Sequence, residues 1–246
     1  MIDRFDGSLQ KRAKGRLWPN FLKMEQMMKV FYLMIVLCLT TIGCHQVYSP
    51  PEACRYHEDG RVKPTIAFIP VYHSYPEKPL TPWGLSEEFT FKIRDRLLDN
   101  GDLYIAPIEQ MVQISSQLEA NKLFSSDLNF SHRFYPGHDF ILIVQALEHK
   151  QILNNDPKKP LLVSPGTIHM KFRIRLIGFN QGRPKVVLQE IIAKEYSLKP
   201  LDKTIDYSKM HWDSYEFTRT PLGQAHTLVQ KEIAQRVETY IKKTRI

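Results

Sequence analysis

Few side chains in this sequence stand at spacings that could do chemistry. His132 and His138 are separated by five residues, and Asp139 follows the second. Together they make a partial metal or acid–base set. A tetrahedral site needs further ligands at helical or hairpin spacing, and none is placed to supply them. Polar residues of a loop leading into a strand give the same string. His211, Trp212, Asp213 and Glu216 form a second, equally incomplete cluster. Lys171, Arg173 and Arg175 alternate in phase with His169, which points all four to one side of a strand. Such a row suits an anionic surface, lipid headgroups or glycan phosphates for example, or simply a solvated sheet face. The sequence has no Gly-rich phosphate loop, no G-x-S-x-G and no H-E-x-x-H. Its scattered Ser, His and Asp residues do not assemble into a triad on paper, because triads are defined in space. Three cysteines, Cys38, Cys44 and Cys54, exclude a disulfide-stapled scaffold and a multi-cysteine zinc module. No metal and no cofactor is therefore expected.

These residues belong to a chain of 246 residues that is 43% hydrophobic and carries a formal charge of +8. That composition excludes a disordered chain and a polytopic membrane protein. Seven basic and three acidic residues lie in 1–43, so half of the excess charge sits in that segment. The remaining +4 is a poor argument for nucleic-acid binding, and none is expected.

Residues 30–39 form an unbroken apolar run after Lys29. Spanning a bilayer takes about 20 residues, so this run fits the apolar core of a signal peptide instead. Met24, Met27 and Met28 lie just ahead of it. A start at any of them, in place of Met1, gives a compact leader and makes residues 1–23 an extension of the reading frame.

Leu39-Thr40-Thr41-Ile42-Gly43-Cys44 resembles the lipobox of bacterial lipoprotein precursors. Ile42, Gly43 and Cys44 fit the pattern; Thr41 departs from the usual Leu. The resemblance implies a diacylglyceryl thioether on Cys44, cleavage between Gly43 and Cys44, and acylation, with palmitate for instance, of the new amino terminus. A plain cleaved signal peptide and a buried apolar helix are the alternatives. Lipidation would place the mature protein in the bacterial envelope, anchored to the outer membrane and facing the periplasm. Residues 44–64 hold three prolines and no helical period, and read as a flexible tether of roughly 25 Å reach. Cys54 lies inside it, either as an intermolecular disulfide partner or as an unpaired thiol.

Residues 65–246 read as one globular domain. A buried strand is expected over 65–71 and a helix over 85–99, with Leu85, Phe89, Ile93 and Leu97 on one face and Ser86 as its N-cap. Glu87 and Glu88 would face the dipole of its first turn. A short strand at 103–106 and a helix opened by Pro107 follow, then a polar loop over 121–138. Strands are expected over 139–150, 167–179 and 185–198, the last two joined by a turn at Asn180-Gln181-Gly182-Arg183. A two-residue loop makes opposed positions sum to 363. Arg173 then faces Glu190, Phe172 faces Ile191 and Leu176 faces Val187. The same register puts Leu188 and Ile192 beside Lys171 and Arg175. Residues 199–220 read as an excursion with one short strand. Pro221 opens a final helix with Ala225, Val229, Ile233, Val237 and Tyr240 as its stripe.

The order β-α-β-α-β-β-β-α predicts an α/β or α+β sandwich. It would be a mixed sheet of about five strands with helices mainly on one face. This order is similar to the small domain of three bacterial envelope families: the curli-secretion-channel lipoprotein, the lipoprotein activator of penicillin-binding proteins, and the amino-terminal domain of the Tol-system propeller protein. It also resembles small chlamydial lipoproteins. The resemblance implies docking to another envelope protein and transfers no catalytic residues. The candidate docking face is Lys171, Arg173, Arg175, Leu188 and Ile192. The rival is a secreted or anchored enzyme with a pocket lined by His132, His138 and Asp139, or by His211 and Trp212.

Overall fold

The computed structural model describes residues 54–73, 80–120, 122–153, 166–180, 182–198 and 205–244. The candidate leader, Cys44 and the first part of the tether lie outside them. Among the described residues the elements run β1 (Thr65–Phe68), β2 (Tyr72–His73), α1 (Leu85–Asp99), β3 (Tyr104–Ile105), α2 (Ile108–Ser115), α3 (Asn129–Phe134), β4 (Phe140–Leu153), β5 (Gly166–Asn180), β6 (Arg183–Leu198), α4 (Tyr215–Thr218) and α5 (Pro221–Thr244). The strands make one mixed sheet in the order β3-β1-β4-β5-β6, with β2 pairing to β4. Parallel pairing joins β1 to β3 and β4. Antiparallel pairing joins β4 to β5 and β5 to β6. The fold is the expected α+β sandwich.

Each sheet face has its own core. On the helix face, α1 and α5 pack Phe89, Ile93, Leu97, Val229, Ile233 and Val237 onto inward residues of the sheet. On the opposite face, the lid face, α2, α3 and the 3-10 turn Lys122–Phe124 bring Met111, Phe130 and Leu123 onto Ile69, Ile141, Ile143 and Ile177. The region 121–138, expected as a loop, therefore supplies much of this lid. Its short helix α3 has too few apolar residues to show a period. Ser86 is not the N-cap. Gly84 holds that position, and the Ser86 hydroxyl donates to the Val71 carbonyl instead. No strand forms among the described residues of 199–220.

Two β-bulges decide which residues face which core. The β5–β6 pairing begins as expected, with Asn180 opposite Arg183 and Ile177 opposite Val186. Gly182 adopts φ 76°, the left-handed conformation that a tight hairpin loop requires. Between Leu176 and Ile177 the register then shifts by one, which leaves Val187 unpaired. From there Leu176 opposes Leu188, Phe172 opposes Ile192, and Arg173 opposes Ile191 in place of Glu190. One extra residue reverses the facing of everything beyond it. A second shift, between Ala146 and Glu148, does the same in β4 and sets His149 opposite Met170 on the helix face.

Residues 54–63 depart from the tether reading. Tyr56 bridges to Val62, and His57 accepts from Gly60 while donating to the Arg61 carbonyl. The segment is an ordered turn, with Cys54 exposed and unbonded at its start.

Candidate functional site

The docking face expected from the hairpin divides in the structure. Lys171 and Arg173 point to the lid side and are half-buried. Arg173 donates from Nε to Gln145 Oε1 at 3.0 Å and stacks 4.1 Å above the Phe124 ring. Arg175 points the same way but is only 4% exposed. Its Nη1 donates to the carbonyls of Leu123 (3.1 Å) and Ser125 (2.6 Å), and its Nη2 to that of Phe124 (2.8 Å). Its Nε reaches Gln189 Oε1 at 2.7 Å. Burial and the neighbouring Arg173 push this guanidinium below its ordinary range. Arg175 is thus a clamp that ties the 3-10 turn to the sheet and is not available to a partner. Leu188 and Ile192, exposed to 3% and 2%, belong to the core of the helix face. The Val187 bulge put them there. In their place Ile191, 55% exposed, stands opposite Arg173 on the lid side.

The residues of the rival pockets do not converge. His132 sets its ring edge against Phe179, centroids 5.4 Å apart. Asp139 Oδ2 accepts the backbone N–H of Thr65 at 2.8 Å, which pins the start of β4 to β1. His138 is held below its ordinary pKa by burial, with Nδ1 unpartnered. His211 pairs with Asp213 at 2.6 Å in the open. Trp212 stacks on Phe91, centroids 5.7 Å apart. No group of three or more His, Cys, Asp or Glu among the described residues is arranged to hold a metal.

A different cluster was missed from the sequence. Glu88 on α1 is 1% exposed, and its Oε2 accepts the indole N–H of Trp83 at 2.9 Å. Its Oε1 accepts from His226 Nδ1 at 2.7 Å and from Gln230 Nε2 at 3.1 Å. The other nitrogen of His226 lies 2.8 Å from Nε2 of His149 on β4. His226 is fully buried and His149 is 6% exposed. Phe89 and Phe217 wall the cluster, with ring centroids 5.3 and 5.8 Å from His226. A signal for part of it was present. Glu88 follows Leu85 by three and precedes Phe89, so it lies on the apolar face of α1. His226 sits between Ala225 and Val229 on the stripe of α5. Nothing local pointed to His149, whose facing depends on the bulge.

Two concavities lie elsewhere on the described residues. One of 230 Å³ is lined by His57, Arg61, Asn100, Asp102 and Glu238; within it Asn100 donates to Glu238 at 2.8 Å and Lys242 pairs with Asp102 at 3.4 Å. The other is an open groove between β6 and α5, crossed by Lys194–Glu232 at 2.8 Å and by Arg236 with Glu190 and Glu232. No helix among the described residues is long and apolar enough to cross a membrane.

A solved structure of the hypothetical protein CT253 from Chlamydia trachomatis is 25% identical and superposes with a TM-score of 0.58, covering 73% of this chain and 98% of that one. Lipoprotein GNA1162 from Neisseria meningitidis is 15% identical at a TM-score of 0.37, covering 70% and 99% of the two chains. XCC0632 from Xanthomonas campestris is 9% identical at 0.43, covering 75% and 89%. No curated protein matches the chain. Residues 52–245 match the model of a family of unknown function, DUF7499, and the chain belongs to that family.

Proposed function

We propose that the protein is a lipid-anchored protein of the bacterial envelope whose domain docks another envelope protein and carries no catalytic activity of its own. The observation that carries the reading is the sequence Ile42-Gly43-Cys44, two residues after a ten-residue apolar run behind Lys29. A thiol at that position is the acceptor a diacylglyceryl transfer needs. Each methylene buried in lipid contributes about 0.8 kcal/mol; one chain is a marginal anchor, and two or three hold the protein firmly. The anchor belongs on the outer membrane, with the domain on the periplasmic side. Residues 45–53 separate Cys44 from the ordered turn at 54–63.

Docking is supported by the part of the lid side that α2 and α3 leave open. There Ile191 is exposed beside Lys171 and Arg173, at the centre of an edge strand. An exposed apolar residue flanked by Lys171 and Arg173 suits an acidic protein surface. Asp139 is occupied in tying β4 to β1, and the residues of the rival pockets do not converge on one cavity, which favours docking over catalysis.

Metabolic labelling with radioactive palmitate, wild type against Cys44→Ala, tests the anchor. Label in the wild type and its loss in the variant is the expected result; equal label in both refutes lipidation. In vivo cross-linking from position 191 tests the docking. A discrete adduct that disappears in Lys171→Glu/Arg173→Glu supports it, and the same adduct in both sinks it.

A further inference from the structure

The chain Glu88–His226–His149 joins three elements, α1, α5 and β4, and takes no part in the docking described above. Its hydrogen bonds limit its protons. Both carboxylate oxygens of Glu88 are acceptors, so His226 donates from Nδ1. Nε2 of His226 is then left facing Nε2 of His149 at 2.8 Å. Two nitrogens at that separation hold one proton between them, owned by either ring. With both rings charged, two N–H groups would stand against each other and two positive charges would lie in a core closed to water. The contact does not survive the charging of both rings.

We propose that Glu88, His226 and His149 form a one-proton latch that holds the first half of α5 against β4 and α1 at neutral pH and is opened by acid. The surroundings leave the latch to its own charges. From α1, Glu88 faces the pair. From β5, Met170 stands beside His149 and has no charge. From β6, Lys194 lies in the same inward row, with its ammonium tied to Glu232 of α5 at 2.8 Å. From the segment before α5, Tyr207 reaches this core as a phenol raised by burial, and His211 stays outside with Asp213. Burial, and secondly the charge of His226, depress His149 from 6.5 to about 3.

The direction of the effect follows from proton counting. Unfolded, His149 takes its proton near 6.5; folded, only near 3. Between those values the unfolded chain holds the additional proton. The contribution to stability is complete above pH 6.5 and is lost progressively as pH falls toward 3. Opening uncovers Phe89 and Phe217 beneath Ala225 and Val229, an apolar surface concealed at neutral pH.

The experiment is a ring-resolved NMR titration of the full-length protein, with hydrogen exchange and urea unfolding followed from about pH 7.5 to about pH 4. His149 is expected to stay neutral through the range in which free histidine charges. Protection is expected to fall first over residues 221–230. Relative to His149→Gln, which keeps a donor toward His226 and does not titrate, the wild-type unfolding constant should rise by up to about tenfold per pH unit below 6.5. A His149 ring that charges between 6 and 7, an equal pH slope in His149→Gln, or protection lost first in 122–134 would each overturn the latch. Where the variant does not fold, the wild-type ring titration decides.

Discussion

On the helix face a carboxylate and two imidazoles satisfy one another, side chain to side chain, within a core of long helices. On the lid face Arg175 is satisfied by backbone carbonyls of a 3-10 turn that has little regular structure of its own. Both solutions keep polar groups paired away from water. They differ in what they tie together and in what undoes them. The Glu88 network closes only when α1, α5 and β4 have all arrived, and its bonding depends on proton count. The Arg175 clamp joins one strand to one loop, and its guanidinium still carries five donors at any pH a protein meets. Acid should therefore loosen the helix face before the lid, whereas loss of one arginine should loosen the lid alone.

The largest expected effect breaks the first half of this comparison. Glu88→Ala leaves an indole N–H, an imidazole and an amide without their acceptor, and should cost about 3–5 kcal/mol in urea unfolding. Arg175→Met breaks the second half. It strands three carbonyls and should cost about 2–4 kcal/mol, with hydrogen exchange rising in 118–134 and unchanged in α5. A pair of adjacent substitutions sharpens the role of the Val187 bulge. Ile192→Ala, inside the core, should cost about 2–4 kcal/mol, and Ile191→Ala, on the surface, under about 0.5 kcal/mol. The reverse ranking in thermal denaturation would mean that the register stays at 363 throughout the hairpin.

Much of the fold was legible because it rests on local patterns. The apolar spacing from Leu85 to Leu97, closed by Asn100-Gly101, marks α1, with only the N-cap misplaced from Gly84 to Ser86. The alternation of Ile168, Met170, Phe172, Ile174 and Leu176 marks the buried side of β5, and all five are buried. The candidate site was less legible. Periodicity carries facing forward only while pairing stays regular, and each bulge resets it. That is why Leu188 and Ile192 were expected beside the lysine and arginines and lie instead against α5. It is also why His149, flanked by Glu148 and Lys150, gave no sign of a partner 77 positions away. Arg175 reads as a surface cation because the carbonyls that bury it come from a segment without an apolar period.

Chain order by itself determined the long elements, α1, α5 and the strands β4, β5 and β6 with their hairpin turn, because helix and strand periods and turn residues act over a few neighbours. Tertiary structure alone decided which charges are covered and which apolar residues are left out. Those outcomes depend on a single extra residue in a strand and on groups brought together from distant parts of the chain, and neither leaves a trace in local spacing.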